Sequence, residues 1–211
     1  MYSNDLEANK KRAMQPRTVI FYGRSGSGKS TQLGLLKDAL TQKDPERSIF
    51  YIQTGDEFRK FIGEDSYTST LARKIADTGG LQPAFLPIWI WTGMLVTNMK
   101  GNEHFFCDGL VRRYPEALVF DSAMQFYKRE RPDVVNINVS EEWATERLKE
   151  RGRHDDTSGA IAKRLDWFET EVIPAIHYFR ENDYYNFIDV NGEQTREDVF
   201  RDITAALKLS V

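Results

Sequence analysis

The chain is expected to fold as an α/β domain built on a five-stranded parallel sheet with helices on both faces. Three observations carry that expectation. Short apolar runs alternate with longer helical stretches along the sequence. The runs are nearly continuous in apolar residues, as strands covered on both faces are. The first run leads directly into a glycine-rich turn that opens a helix. A length of 211 residues suits one domain with excursions over its binding face.

Strands are expected at Thr18–Tyr22, Ser48–Gln53, His104–Asp108, Asp133–Val139 and Tyr184–Val190, with helices filling the gaps. Thr54-Gly55-Asp56-Glu57 has the form of a capping box, so a helix should begin there with Thr54 as cap, Glu57 reaching back and Arg59 on its first turns. Ala84 to Val96, the most apolar stretch, is too short to span a bilayer and contains Pro87 and Gly93; it reads as a buried helix. Pro115 can open another helix, because its missing N–H costs nothing in a first turn. The longest helical pattern runs from Thr157 to Glu181, with Ile161, Leu165, Phe168, Val172 and Ile176 spaced to face a core. Residues 1–16 are polar and charged and are expected to form a flexible leader ahead of a domain over 17–211.

Composition limits the partners. A net charge of −3 and a pI near 5.7 argue against nucleic acid or an anionic membrane as the main partner, since both select an excess of Lys and Arg. Any anion site must therefore be local. The single cysteine, Cys107, excludes an intramolecular disulfide and a multi-cysteine zinc site, and fits a reducing cytoplasm. It lies in an apolar run and reads as buried and inert. His104, His154 and His177 have no ligand spacing, and Trp89, Trp91, Trp143 and Trp167 read as packing residues.

The run Gly23-Arg-Ser-Gly-Ser-Gly-Lys-Ser-Thr-Gln32 lies between the first strand and the first helix. Its spacing is that of a phosphate-binding loop, whose glycines let successive N–H groups turn inward on a phosphate chain while the helix end adds its dipole. Gly23, Ser25, Gly26, Ser27, Gly28, Lys29, Ser30 and Thr31 form the candidate ATP-binding set. Lys29 would reach the β- and γ-phosphates, and Ser30 would offer its hydroxyl to Mg²⁺. Asp108 ends an apolar strand at the carboxyl edge of the sheet, where it can hold a water of the Mg²⁺ shell. Arg147 and Arg151, four apart on one helix face, and Arg164 in the next helix are guanidinium groups suited to spread phosphoryl charge.

Taken together, these motifs resemble the adenylate kinase family of nucleoside monophosphate (NMP) kinases, from Thr18 to Leu207. The resemblance rests on the glycine loop, Thr54-Gly55-Asp56 with Arg59, Gly80-Leu81-Gln82-Pro83, Asp108-Gly109 with Arg112, and Arg153-His154-Asp155-Asp156 with Arg164. It implies a three-layer fold of the P-loop NTPase type, a helical NMP-binding excursion at about 54–83 and a short lid at about 151–157. With only Gly152 between Arg151 and Arg153, the zinc-binding lid insertion of some relatives is absent and no zinc is expected. By resemblance, Thr54, Arg59, Gly109, Arg112 and Glu116 look like the acceptor site. Arg147 and Arg151 look like donor-side residues, Arg153 and Arg164 like closing arginines, and Asp155 and Asp156 like lid acids. Lys29, Arg112, Arg153 and Arg164 would be the catalytic set, working with Mg²⁺ and ATP in a cytoplasmic monomer.

Two departures from the family stand out. Leu110 and Val111 occupy places usually held by Phe-Pro, removing a proline that stiffens the turn. Glu116 stands where adenylate kinases usually have a glutamine that both donates to and accepts from adenine; an ionised carboxylate only accepts, which suits guanine better. By resemblance AMP is the default acceptor, and Glu116 is expected to weaken that preference. The alternatives are a kinase selective for GMP, CMP or UMP, a phosphoryl transferase acting on another small acceptor, and a non-catalytic nucleotide-binding module.

Overall fold

The computed structural model describes residues 15–152 and 157–209. Five strands, β1 (Thr18–Tyr22), β2 (Ile49–Gln53), β3 (His104–Asp108), β4 (Asp133–Asn138) and β5 (Asn186–Asn191), form one sheet in the order β2-β3-β1-β4-β5. Every pairing is parallel. The expected strands are all present, and the ends of three shift by a residue or two. Tyr184 and Tyr185 drop out of β5 because they sit in the turn before it, where the Tyr185 N–H bonds the Asn182 carbonyl at 3.0 Å.

Strand alternation sorts the core into two layers. Ile20, Tyr22, Phe105, Cys107 and Val134 point to one face, where Trp91, Phe120, Met124 and Phe179 cover them. Val19, Phe21, Phe106, Val135 and Ile137 point to the other, against Leu33, Leu36 and Leu40 of helix α1 (Lys29–Lys43) and Val199 and Ile203 near the C-terminus. β1 is central, and the chain leaves it to build first one side of the sheet and then the other. The loop after β1 therefore lies at the topological switch point, the crevice where open parallel sheets bind ligands.

Helices α2 (Thr54–Ile62) and α3 (Tyr67–Asp77) form the excursion after β2, and α4 (Phe85–Asn98) returns the chain to the sheet. Two expectations need correction here. Gln53, not Thr54, occupies the cap position of α2, and it makes no side-chain cap. Thr54 is the first helical residue, and Glu57 turns forward to pair with Lys60 at 2.7 Å. Helix α4 is not buried all round. Leu86, Trp91 and Leu95 face the core, whereas Phe85, Trp89 and Val96 are 62, 59 and 78 % exposed, because only one side of the helix meets the sheet layer. Pro87 is tolerated as its third residue, where N–H groups have no intrahelical partner.

After β3 comes α5 (Tyr114–Phe126), with Pro115 in its first turn as expected, and after β4 comes α6 (Glu141–Arg151). The predicted 157–181 helix exists in three pieces: α7 (Ser158–Trp167), a π-helical turn (Phe168–Val172) and α8 (Ile173–Glu181). Pro174 gives a physical reason, since it donates no backbone N–H and its ring crowds the preceding turn; the ladder widens so that the Ile173 N–H reaches the Phe168 carbonyl. Ile161, Leu165, Phe168, Val172 and Ile176 are all buried as the pattern requires. Helix α9 (Arg196–Ala206) closes the chain, capped by the Thr195 hydroxyl. No helix among the described residues is long and apolar enough to cross a membrane.

Candidate active site

Three glycines shape the loop after β1, at φ 137°, 89° and 88° for Gly23, Gly26 and Gly28. A Cβ on Gly23 would lie 2.5 Å from the Ile137 carbonyl oxygen, and one on Gly26 would lie 2.8 Å from that of Ala144, so β4 and α6 approach too closely for any side chain. Gly28 precedes α1 without a side-chain cap, which leaves the first-turn N–H groups to an anion. Ser27 is buried with no protein partner for its hydroxyl. These features fit a polyphosphate. Lys29 lies across the loop, its Nζ donating to the carbonyls of Gly23 at 2.7 Å and Arg24 at 2.8 Å.

Strand register brings Asp108 to this loop. It lies opposite Phe21, two residues before Gly23, and opposite Gln53 at the end of β2. One carboxylate oxygen accepts from the Tyr51 hydroxyl at 3.0 Å. Burial pulls the Lys29 ammonium down to about 8; the Asp108 carboxylate opposes this, and the nearby Arg112 and Arg151 cations reinforce it.

Unfolded lysine titrates near 10.5, so between about 8 and 10.5 the unfolded chain holds a proton that folded Lys29 has released. Lys29 therefore opposes folding in full below pH 8, and the opposition fades as pH rises to 10.5. A bound triphosphate would hold the proton in place. ATP affinity should hold to about pH 7.5 and then fall by up to about tenfold per unit above pH 8, with proton uptake on binding. Calorimetric titration in buffers of different ionisation heat measures both; equal affinity at about pH 7.5 and about pH 9.5 would contradict the assignment.

Just after Asp108, Gly109 (φ 71°) makes room for Arg112, whose Nη2 would lie 3.3 Å from an added Cβ and whose Nε donates to the Gly109 carbonyl at 3.2 Å. Burial pushes the Arg112 guanidinium downward; the Glu116 and Asp108 carboxylates oppose the shift, and Arg164 adds to it. Lys29, Asp108, Arg112, Arg151 and Arg164 are thus gathered into one electrostatic cluster. Val111 sits at φ 56°, a strained conformation for a β-branched residue and closed to the proline it replaces. The Tyr22 hydroxyl holds the Val111 carbonyl at 2.5 Å.

Glu116 is 1 % exposed and accepts from the backbone N–H groups of Arg112 and Arg113, both at 3.3 Å, so its carboxylate caps α5. Burial raises its pKa, and these two N–H groups pull it back. Thr54 is buried, with no partner for its hydroxyl. Arg59 is exposed and pairs with Asp56 on its own helix. Arg147 is also exposed, with its guanidinium 5.0 Å above the Trp143 ring. Arg153, Asp155 and Asp156 lie outside the described residues.

For a metal, the Ser30 hydroxyl on the first turn of α1 and the Asp108 carboxylate are hard oxygen donors on either side of the loop, a set that suits Mg²⁺ shared with phosphates. Among the described residues, no group of three or more His, Cys, Asp or Glu could hold a metal alone.

Three contributors carry no motif. Tyr51 braces Asp108. Arg24, inside the glycine loop, donates to the Val139 carbonyl at 2.7 Å, lies 5.0 Å over Phe168 and pairs with Glu169, tying the loop to the π-helical turn. Trp167 lies against Arg112, 5.6 Å from ring centre to guanidinium carbon. A charged residue at the second position of a glycine loop was the one available signal; the other two depend on register and helix packing.

A parallel sheet in this order, with a phosphate loop at its switch point and cations gathered over an aspartate, defines a P-loop nucleotide phosphotransferase. The adenylate kinase family model matches residues 21–184, and the chain belongs to that family. It is similar to adenylate kinase 1 of Nostoc sp., 28 % identical over 189 residues that cover 90 % of this chain and 97 % of the relative. To the adenylate kinase of Mycobacterium tuberculosis it is 32 % identical over 193 residues, 90 % of this chain and 98 % of the relative. To that of Corynebacterium urealyticum it is 29 % identical over 189 residues, with 90 % and 98 % covered. The chain is an ATP-dependent nucleoside monophosphate kinase.

Proposed function

We propose that the chain is a cytoplasmic, monomeric adenylate kinase that moves the γ-phosphoryl group of ATP to AMP with Mg²⁺ and yields two ADP. The convergence of Lys29 and Arg112 at the Asp108 edge of the sheet carries this reading. The bond from the γ-phosphorus to the β,γ-bridging oxygen breaks as one forms to an AMP phosphate oxygen. That oxygen is largely deprotonated at neutral pH, the second phosphate pKa being about 6, so no general base is needed. Mg²⁺, held through Ser30 and a water on Asp108, would neutralise phosphate charge.

In this reading, Gly23, Ser25, Gly26, Ser27, Gly28 and Thr31 seat ATP, and Arg147 and Arg151 hold its donor side. Thr54, Arg59, Gly109 and Arg112 hold AMP. Lys29, Arg112, Arg164 and Arg153 stabilise the transferring group by position and charge, and Asp155 and Asp156 help shut the lid. The excursion over 54–83 and the lid over 151–157 would close to keep water from the γ-phosphate.

The capping role of Glu116 supports AMP over a base-selective kinase, because both its oxygens are already engaged by backbone N–H groups. A coupled assay of ADP formation against AMP, GMP, CMP and UMP tests this. AMP should be fastest in the wild-type chain, and Glu116→Gln should leave the order unchanged. Preference for GMP, lost in Glu116→Gln, would instead establish Glu116 as a base reader.

A further inference from the structure

Trp167 ends α7, three residues after Arg164, so the two side chains share one face of that helix. Both meet Arg112. Arg164 places a like charge near it, and Trp167 places its ring 5.6 Å from the guanidinium carbon. On its other side, the indole N–H donates to the Gly79 carbonyl at 3.3 Å, at the far end of the α2–α3 excursion. Gly79 itself packs on α7 so closely that a Cβ would lie 3.1 Å from the Ala160 Cα. The indole N–H bond to Gly79 therefore holds the ring while its face meets Arg112. The negative face of an indole is the best aromatic partner for a guanidinium, and the attraction grows as water is excluded. It also counters the crowding of Arg112 by Arg164.

We propose that Trp167 is a positioning residue for the acceptor monophosphate: its ring fixes the Arg112 guanidinium so that the fork meets the phosphate without first being ordered. This rests on the reading of Arg112 as an acceptor-phosphate ligand. Ordering a flexible guanidinium costs affinity on binding, and a preset fork avoids that cost. Trp167 acts through Arg112, and the indole bond to Gly79 serves only to aim the ring.

The test is AMP and ATP binding by calorimetry on the full chain, with Trp167→Leu, Trp167→Phe, Arg112→Ala and the Arg112→Ala/Trp167→Leu double variant. Trp167→Leu should weaken AMP binding by about tenfold and leave ATP binding within about twofold. Trp167→Phe, which keeps a ring face but loses the N–H, should recover most of that loss, to within about threefold of wild type. In the Arg112→Ala background, adding Trp167→Leu should change AMP affinity by less than about twofold, because its target is gone.

Wild-type AMP affinity in Trp167→Leu, an equal loss with Phe and Leu, or an undiminished Leu effect in the Arg112→Ala background overturns the proposal. If Trp167→Leu does not fold, the Phe variant alone and combined with Arg112→Ala makes the same comparison; a Phe effect equal in both backgrounds overturns it. Wild-type AMP affinity in Arg112→Ala would instead remove the acceptor role of Arg112 itself.

Discussion

Replacing Lys29 with methionine should lower turnover by about 10³-fold or more while the chain stays folded. Methionine keeps most of the aliphatic stem and deletes the ammonium that lies across the glycine loop. The stem can still pass over Gly23 and Arg24, whose carbonyls receive the ammonium at 2.7 and 2.8 Å. What cannot be replaced is a movable point charge aimed at the β- and γ-phosphates. Arginine is no substitute, because a rigid planar fork would stand in for a compact, rotatable ammonium. The variant should keep its circular dichroism and melt no lower than the wild-type chain at neutral pH, because the buried ammonium opposes folding there, and its ATP affinity should lose the fall above pH 8 predicted for the wild-type chain. A variant with more than about a tenth of wild-type ADP formation would remove Lys29 from the catalytic set.

The second large effect is expected at Arg112. Arg112→Ala should lower kcat/KM for the monophosphate by about 10³-fold and leave KM for ATP within about threefold. Two losses add in this variant. The acceptor phosphate loses a bidentate partner, and the Glu116 and Asp108 carboxylates, which both act on the buried guanidinium, lose a balancing cation. Stability should therefore also fall, which separates Arg112 from the exposed Arg59, whose removal should barely change the melting temperature. Arg112→Lys restores the charge without the fork and should recover less than about a tenth of the lost activity. Steady-state kinetics with each substrate varied in turn checks the split; equal losses for ATP and the monophosphate would count against an acceptor-side role.

Much of this site is readable from linear order because the phosphate loop is a local object. Its glycines, Lys29 and Ser30 are contiguous, and their function depends on backbone conformations that neighbouring residues impose. The strand ending in Asp108 is similarly local, and its placement beside the loop follows from the rules of parallel sheets. The errors arise where two alternatives have nearly equal local energy. Thr54 is a sound cap by sequence, yet the helix starts one residue earlier and leaves its hydroxyl buried without a partner. The apolar run over α4 has the same composition on its covered and uncovered sides, so hydrophobicity alone cannot tell Trp89 from Trp91. Glu116, a base contact by resemblance, makes bonds that linear order alone does not reveal: its carboxylate accepts from the N–H groups of Arg112 and Arg113, just ahead of α5. The four tryptophans look alike as packing residues, but Trp143 and Trp167 lie against Arg147 and Arg112.

By sequence alone, the alternation of strands and helices, the class of ligand and the identity of the loop cation were determined, because periodicity and glycine spacing act over a few residues at a time. Only the tertiary structure decided which distant side chains share a charge environment. Tyr51 reaches Asp108 through strand register, Arg24 reaches Glu169 across 145 positions of chain, and Trp167 reaches Arg112 because the end of α7 packs beside the turn that follows β3. Such contacts depend on how whole layers pack, and no local pattern of residues encodes that.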